Sequence, residues 1–416
     1  MPPLVDPPRG GIALRVSTPY GLSAPRLGDR SLFPDLEARA YLAHAAVSPP
    51  SLAVRRAVIA HLNDLGRRGA GYFGDALAQR DRVRGLLGTL LGAPPEGVAL
   101  VSNTSLGATL VALSIPWEPG QRVMCFAGEF PANVTPWQRA AGLFGLSVVW
   151  GEADTFRTDP AAAWAHLDRC LAEGVRLVAV SAVQFQTGHR MPLAEMARRC
   201  HAHGAELFVD AIQAAGSTPL DVTAEGIDYL AAGGHKWLMG LEGAGVVTVR
   251  PEAATRMRPH AAGWLSHVDP FQFLIEGAGH LRYDRPFVDT ARLLETGTAP
   301  AAGYLALEAS VTLLLALGVE AIHAHVNAYL DVLEAALVAR GFTSLRSPDR
   351  AGRSCLLGVV PPEGGMGAPG WQRSLSSRGV VASCPDGVLR FAPHWPNNAD
   401  RELDAILAAV DAVSAG

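Results

Sequence analysis

Short apolar runs rich in β-branched residues alternate with helix-like stretches between residues 98 and 249, and this alternation constrains the fold more than any other feature. Five of these runs are predicted strands, at 98–101, 123–126, 175–181, 207–210 and 246–249. Runs that are apolar almost without interruption are typical of parallel strands buried on both faces. The sequence therefore predicts an α/β fold built on a mostly parallel central sheet.

The pattern changes after residue 298. Helices are predicted over 303–317 and 321–340, and a short αβ portion ends in a helix over 400–413. We expect a large domain over 41–298 and a smaller α/β C-terminal domain over 299–416. The N-terminal segment, 1–40, is expected to pack on the small domain.

Charge and cysteine content exclude several classes of protein. The net charge of −4 argues against a nucleic-acid binder, which normally carries a basic excess. No apolar run is long enough to span a bilayer, and residues 1–11 are proline-rich without a secretory apolar core. Five scattered cysteines without a CxxC pair indicate reduced thiols. We expect a cytoplasmic protein with no membrane or nucleic-acid partner.

Of 35 basic side chains, 34 are arginine and one is lysine, Lys236. A guanidinium group cannot lose its proton near neutrality and so cannot form an imine, whereas a lysine amine can. Lys236 follows an apolar strand-like run and precedes the glycine-rich stretch 240–245, where small residues allow a bulky cofactor to approach the backbone. Lys236 is therefore a candidate for chemistry that requires a primary amine.

Asp210 closes a predicted strand, at the sheet edge where open α/β proteins bind ligands. A lysine with a buried aspartate is what pyridoxal 5'-phosphate (PLP) requires. The amine condenses with the cofactor aldehyde, and the carboxylate pairs with the pyridine nitrogen. Taken alone, Asp210 is equally well explained as a helix N-cap.

The cofactor's phosphate needs amide and hydroxyl donors, and residues 102–107 follow a strand and open a helix, which suits an anion. Thr104 and Ser105 are the predicted phosphate ligands, with an ordinary N-cap as the alternative. His235 is a further phosphate candidate. Phe130 follows another strand and is a candidate to stack on the ring, although a lone phenylalanine is more often a core residue. No metal site is predicted.

The run from Val209-Asp210 and Gln213 to His235-Lys236-Trp-Leu resembles the signature of class V aminotransferase-type PLP enzymes of fold type I. This group includes cysteine desulfurases, kynureninases and isopenicillin N epimerase-like proteins, and the resemblance extends from about residue 41 to 396. It implies that Lys236 is the Schiff-base lysine, Asp210 the pyridinium partner, and Gln213 a contact to the phenolic oxygen. It also implies that 102–105 is the phosphate loop.

The resemblance implies roles for several other residues. Phe130 stands where the desulfurases have a stacking histidine, and the kynureninase-like stretch 183–188 places Gln184 or Phe185 near the ring. The resemblance also implies a homodimer with shared active sites, in which Thr298 would reach the partner's phosphate. By the same resemblance, Arg390 is expected to hold the substrate carboxylate. The loop at 380–385 keeps a cysteine but lacks the desulfurases' Arg and Gly, so sulfur transfer is not expected.

These features predict a PLP-dependent enzyme that acts at the α-carbon of an amino acid or related amine through Lys236. Aminotransferase or Cβ-lyase chemistry is preferred, because inversion at the α-carbon needs a second acid that the sequence does not identify. The alternatives are an amino-acid epimerase of the isopenicillin N epimerase type and a non-catalytic PLP-binding protein. α/β architecture alone would also accommodate a nicotinamide dehydrogenase.

Overall fold

A computed structural model describes residues 22–363 and 365–414. The strands are, in chain order, β1 (Ala40–Tyr41), β2 (Val98–Val101), β3 (Arg122–Ala127), β4 (Ser147–Glu152), β5 (Val175–Ser181), β6 (Glu206–Asp210), β7 (Tyr229–Gly233), β8 (Gly245–Val249), β9 (Thr343–Ser344), β10 (Leu357–Val360), β11 (Val380–Val381) and β12 (Leu389–Phe391). The α-helices are α1 (Leu52–Arg68), α2 (Phe73–Leu91), α3 (Thr104–Ser114), α4 (Thr135–Phe144), α5 (Thr155–Thr158), α6 (Pro160–Ala172), α7 (Leu193–Ala202), α8 (Pro251–Ala254), α9 (Gln272–Ile275), α10 (Ala301–Leu317), α11 (Val319–Val338), α12 (Ala368–Ser376) and α13 (Ala399–Ser414).

A seven-stranded sheet forms the centre, in the order β2-β8-β7-β6-β5-β3-β4. The run from β7 to β4 is parallel throughout, and β8 is antiparallel to both of its neighbours. All five predicted strands are present, and β7 is the apolar run expected before Lys236. The predicted mostly parallel α/β sheet is confirmed.

Helices cover both faces of the sheet. Successive side chains of a strand point to opposite faces. Leu207 accordingly belongs to the apolar cluster that includes buried side chains of α1, α2, α7 and α10, while Phe208 belongs to a second cluster with side chains of α3 and α4. A Cβ atom at Gly107 of α3 would lie 2.7 Å from Val247 Cγ2 of β8, so glycine allows this helix to approach the sheet closely. Helix α3 is thereby held directly beside β7 and β8.

The C-terminal part has its own antiparallel sheet, β12-β10-β9, with α11, α12 and α13 beside it. The chain before residue 42 meets this part, because β1 pairs in parallel with β11 and the Gly28 amide donates to the Trp395 carbonyl at 2.7 Å. Residues 1–21 of the predicted N-terminal segment lie outside the described residues. The domain boundaries stay predictions.

The long C-terminal helices lie within two residues of their predicted limits. Among the described residues, no helix is by itself long and apolar enough to cross a membrane. Helices α10 and α11 meet that test only as a pair, with a bend of 77° between them. Helix α10 packs against α1 and α2 and supplies many buried side chains.

The carboxyl ends of the parallel strands meet at one edge of the sheet. Ser181 at the end of β5 pairs in register with Asp210 at the end of β6, and Asp210 pairs with Ala231 of β7. The loops that follow β3, β5, β6 and β7 therefore converge. Edges of this kind are where open α/β sheets bind ligands.

Candidate active site

Lys236 lies three residues beyond the end of β7 and is largely buried. Its Nζ atom is 5.6 Å from the centre of the Phe130 ring. The pKa of Lys236 falls from 10.5 to about 8, mainly because the amine is buried; the charge of Asp210 opposes this fall and the charge of Arg390 adds to it. The lysine therefore interacts electrostatically with both an acid and an arginine, and its pKa lies near neutrality.

Asp210 is the last residue of β6 and is only 2% exposed. The Ile212 amide donates to its Oδ1 at 3.0 Å. Burial raises the pKa of Asp210 to about 6, and the Ile212 amide and the charge of Lys236 oppose that rise. The carboxylate is thus mostly ionised at pH 7, as a partner for a protonated ring nitrogen must be.

Arg390 in β12 is 4% exposed and points toward the loop after β5. It donates from Nη1 to the Phe185 carbonyl at 2.6 Å and from Nε to Ser383 Oγ at 2.9 Å. Burial lowers the pKa of Arg390 to about 10, which still leaves it charged at pH 7. Within residues 22–363 and 365–414, no carboxylate lies within ion-pair distance of it. A buried guanidinium without an acidic partner suits a carboxylate ligand.

The predicted phosphate residues gather at the start of α3. Asn103 is the helix N-cap, since its Oδ1 accepts from the Leu106 amide at 2.8 Å. The stretch therefore does contain an ordinary N-cap, but Thr104 and Ser105 do not provide it, and their role as phosphate ligands stays a prediction. The Thr104 hydroxyl is buried and has no hydrogen-bond partner among the residues that the structure describes. A Cβ atom at Gly233 would lie 3.3 Å from both Thr104 Oγ1 and His235 Nδ1, so these residues adjoin. Ser105 is exposed in the first helical turn.

Phe130 is 47% exposed, so it is not a core residue. Its ring meets Phe185 edge to face, with centroids 5.5 Å apart. The exposed ring together with the Lys236 contact fits a surface on which a flat cofactor stacks.

The two predicted glutamine contacts are engaged within the protein. Gln184 donates from Nε2 to the Gly128 carbonyl and so ties together the loops after β3 and β5. Gln213 donates to the Ala45 carbonyl at 3.1 Å and accepts from Trp237 Nε1 at 2.8 Å. Both side chains therefore hold site loops in place, and their contacts with a cofactor stay predictions.

Thr298 is exposed in the loop before α10, and its contact with a partner subunit stays a prediction. Glu295, three residues earlier, is buried and anchors this stretch. It forms ion pairs with Arg84 at 2.7 Å and Arg80 at 2.8 Å, and it accepts from the Leu100 amide at 3.0 Å.

Sequence reasoning missed Glu129, a buried carboxyl beside Phe130. It accepts from the Ser181 amide at 2.7 Å and from the Ser181 hydroxyl. Burial raises the pKa of Glu129 to about 7, and the charge of Asp210 adds to the rise. The only sequence signal was its position directly before the predicted stacking residue.

The residues gathered at this site fit PLP. The chain provides a buried amine of lowered pKa for an aldehyde, a buried carboxylate for a ring nitrogen, and an unpartnered hydroxyl at a helix N-terminus for a phosphate. Lys236, Asp210, Thr104, His235, Phe130 and Arg390 are brought together as predicted.

Comparison with known proteins agrees with a PLP site. The family model for class V aminotransferases matches residues 41–359. An uncharacterised aminotransferase, YcbU of Bacillus subtilis, is 27% identical to this chain, and the match covers 91% of this chain and 95% of YcbU. Isopenicillin N epimerase of Streptomyces clavuligerus is also 27% identical, and that match covers 80% of this chain and 84% of the epimerase.

Among solved structures, a variant of C-DES with glycine covalently linked to its PLP cofactor has a TM-score of 0.83 at 21% identity, covering 92% of this chain and 99% of its own. The likeness confirms the predicted fold, and the family match supports PLP as cofactor and a transferase or lyase as the enzyme class. Because the family model spans the whole central sheet and every candidate site residue except Arg390, the chain belongs to the class V aminotransferase family.

Proposed function

We propose that the protein is a PLP-dependent enzyme that acts at the α-carbon of an amino acid, as an aminotransferase or a Cβ-lyase. The observation that carries this proposal is the placement of the only lysine. Lys236 is largely buried at the carboxyl edge of the sheet, within electrostatic range of both Asp210 and Arg390.

Each part of the cofactor has a candidate residue. Lys236 provides the amine for the aldehyde, Asp210 pairs with the pyridine nitrogen, and Phe130 stacks on the ring. Thr104 and Ser105, with the amides that open α3, hold the phosphate. When bound, PLP withdraws electrons from the substrate's α-carbon.

Arg390 binds the substrate and Lys236 acts on its α-carbon. A guanidinium fork binds a carboxylate bidentately, so Arg390 fixes the amino acid by that group. Lys236 then removes the α-proton as general base. A shift of its pKa from 10.5 to about 8 raises the neutral fraction at pH 7 roughly 300-fold.

Transamination and Cβ-elimination are both supported by relatives. YcbU is named an aminotransferase, and C-DES is a cystine C–S lyase that has been solved with cysteine persulfide at 20% identity to this chain. Sulfur transfer through Cys384 is not proposed, because burial raises the pKa of that half-buried thiol and disfavours the reactive thiolate.

Epimerisation is the second candidate, and the match to isopenicillin N epimerase favours it. It requires an acid that returns a proton to the α-carbon on the face opposite Lys236. Incubating a single amino-acid enantiomer in D₂O separates the outcomes, because an epimerase yields deuterated material of both configurations.

A homodimer in the cytoplasm is the proposed working form. Residues 264–287 expose large apolar side chains, among them Leu274 (57%), Ile275 (66%) and Tyr283 (89%), which a second copy would cover. The five cysteines are all free, which suits a reducing compartment.

A single labelling experiment tests the assignment of Lys236. The chain is incubated with PLP and reduced with borohydride, and the modified peptide is located by mass spectrometry. We expect one adduct, at Lys236, which is absent in Lys236→Ala. An adduct that persists in this variant would remove Lys236 from the site.

A substrate panel then tests for catalysis. The protein is incubated with amino acids, with and without 2-oxo acid acceptors, and the products are identified by mass. Amino-group transfer indicates an aminotransferase, whereas release of a β-substituent indicates a lyase. A protein that holds PLP but neither converts any amino acid nor exchanges its α-proton would be a non-catalytic PLP-binding protein.

A further inference from the structure

Three consecutive carbonyl groups around Lys236 accept hydrogen bonds from residues distant in sequence. Ser48 donates from its amide to the His235 carbonyl at 2.8 Å and from its hydroxyl to the Lys236 carbonyl at 2.6 Å. His394 donates from Nε2 to the Trp237 carbonyl at 2.9 Å. We call these three bonds the carbonyl clamp. They tie residues 235–237, the lysine segment, to one residue from the N-terminal part of the chain and one from the C-terminal part.

The donors of the carbonyl clamp are fixed by their own partners. The Trp395 amide donates to His394 Nδ1 at 2.7 Å, so the ring proton lies on Nε2 and faces the Trp237 carbonyl. Because the Ser48 hydrogen is directed at the Lys236 carbonyl, His44 Nδ1, 2.8 Å from Ser48 Oγ, is the donor in that contact. Burial lowers the pKa of His394 to about 4, which keeps it neutral.

The segment held by the clamp is strained. Met239 has a φ of 54°, in the left-handed region that residues other than glycine rarely adopt. Its amide donates to the Lys236 carbonyl at 3.0 Å, and Trp395 Nε1 lies 3.0 Å from its sulfur. Strain of this kind persists only where surrounding contacts determine the conformation.

His394 also belongs to the segment that carries Arg390. The Ala392 amide, between the two, donates to the Leu42 carbonyl at 2.7 Å, and the His44 amide donates to the Ala392 carbonyl at 3.2 Å. His394 thus joins the arginine segment directly to the lysine segment, whereas Ser48 bonds the lysine segment directly and reaches the arginine segment only through His44.

We infer that Ser48 and His394 are positioning residues: the carbonyl clamp aims Lys236 at the cofactor, and His394 in addition sets its position relative to Arg390. This inference rests on the proposed function, and it assigns the two residues different kinetic effects. Loss of the Ser48 hydroxyl slows steps that use the lysine. Loss of the His394 donor also weakens the hold on a carboxylate substrate.

Four variants test this inference. Ser48→Ala removes the hydroxyl and Ser48→Thr keeps it, while His394→Phe keeps an aromatic ring without the donor. His325→Phe is the matched control, because His325 Nε2 bonds the nearby Asn397 carbonyl at 2.8 Å but does not touch the lysine segment.

The first readouts use PLP alone and no substrate. We measure the rate at which added PLP becomes borohydride-trappable on Lys236, and the hydrogen-exchange protection of amides in 235–239. Ser48→Ala and His394→Phe are each expected to slow attachment about fivefold, the effect of losing one net hydrogen bond. Both should lower the protection of 235–239, whereas Ser48→Thr and His325→Phe should match the parent protein.

The second readout is α-proton exchange of glycine in D₂O. His394→Phe is expected to raise the KM for glycine and lower kcat, whereas Ser48→Ala lowers kcat with KM unchanged. The inference is overturned if both variants attach PLP at the parent rate, or if His325→Phe slows attachment equally, since general packing would then explain the effect. If the parent protein itself attaches no PLP, the proposed function fails, yet the loss of 235–239 protection still reports whether the clamp holds the segment.

Discussion

The charge state of Lys236 offers a sharp test of the site, because two neighbours shift its pKa in opposite directions. Burial is the largest cause of the fall from 10.5 to about 8, Asp210 raises the pKa, and Arg390 lowers it. At pH 7 a pKa of about 8 leaves roughly 9% of the amine neutral, against about 0.03% for an ordinary lysine.

Removing one neighbour at a time should move this pKa in opposite directions. Arg390→Gln removes a like charge and should raise the pKa of Lys236, while Asp210→Asn removes an opposite charge and should lower it. We expect shifts of about one unit each, the low end for a nearby charge. The neutral fraction at pH 7 then falls about tenfold in the first variant and rises to about one half in the second.

Trace acetylation with acetic anhydride measures the shift in the cofactor-free protein. The acetylation rate of the one lysine-bearing peptide is measured across a pH series, and the pH of half-maximal rate gives the pKa of Lys236. This midpoint does not depend on the maximal rate, which can differ between variants. Arg353→Gln, which removes an arginine paired with Asp331 at 3.2 Å in the C-terminal part, should leave the midpoint unchanged. Midpoints that move in the same direction, or that do not move in either variant, would show that the two charges do not flank Lys236.

Two further expectations concern the free energy of unfolding. Lys236→Met should stabilise the cofactor-free protein by about 2–3 kcal/mol at pH 7, because folding lowers the pKa of this lysine. The stabilisation should be fully present below pH 8 and should disappear as the pH rises toward 10.5. A stabilisation that does not change with pH, measured by urea unfolding, would contradict this expectation. Glu295→Gln should cost about 3–5 kcal/mol by leaving Arg84 and Arg80 without their buried partner. Asp411→Asn, which breaks an exposed pair, should cost less than about 1 kcal/mol, and equal costs would refute the distinction.

The sheet was predictable where its strands are buried and long enough to show their pattern. The run at 175–181 was predicted with its observed limits, and Asp210 was expected to close its strand, as it does. Strand β4 escaped prediction because it lies at the sheet edge, where partial exposure mixes polar and apolar residues. The reversed direction of β8 is set by its partners on either side, which composition does not reveal.

The candidate site was predictable where one residue type alone performs the chemistry. Lys236 followed from its uniqueness and Asp210 from its place at a strand end. Ser48 and His394 could not be found in this way, because they act through backbone carbonyls brought near by folding, 188 and 157 residues away in sequence. Serine and histidine are common enough that only the tertiary contacts single them out.

The distribution of ion-pair partners among buried charged side chains supports the same site, independently of any resemblance. Most buried charged side chains among the described residues have an ion-pair partner, which is the usual condition for burial: Arg84, Glu206, Asp228, Glu295 and Arg346. Four buried charged residues lack an ion pair in the described part of the chain, namely Glu129, Asp210, Glu402 and Arg390. Glu402 lies elsewhere, bonded to Tyr329 and Asn397. The other three interact electrostatically with Lys236 or with Asp210. Folding therefore concentrates buried ionisable side chains without ion-pair partners at this site, where an ionic cofactor and substrate would supply the missing partners.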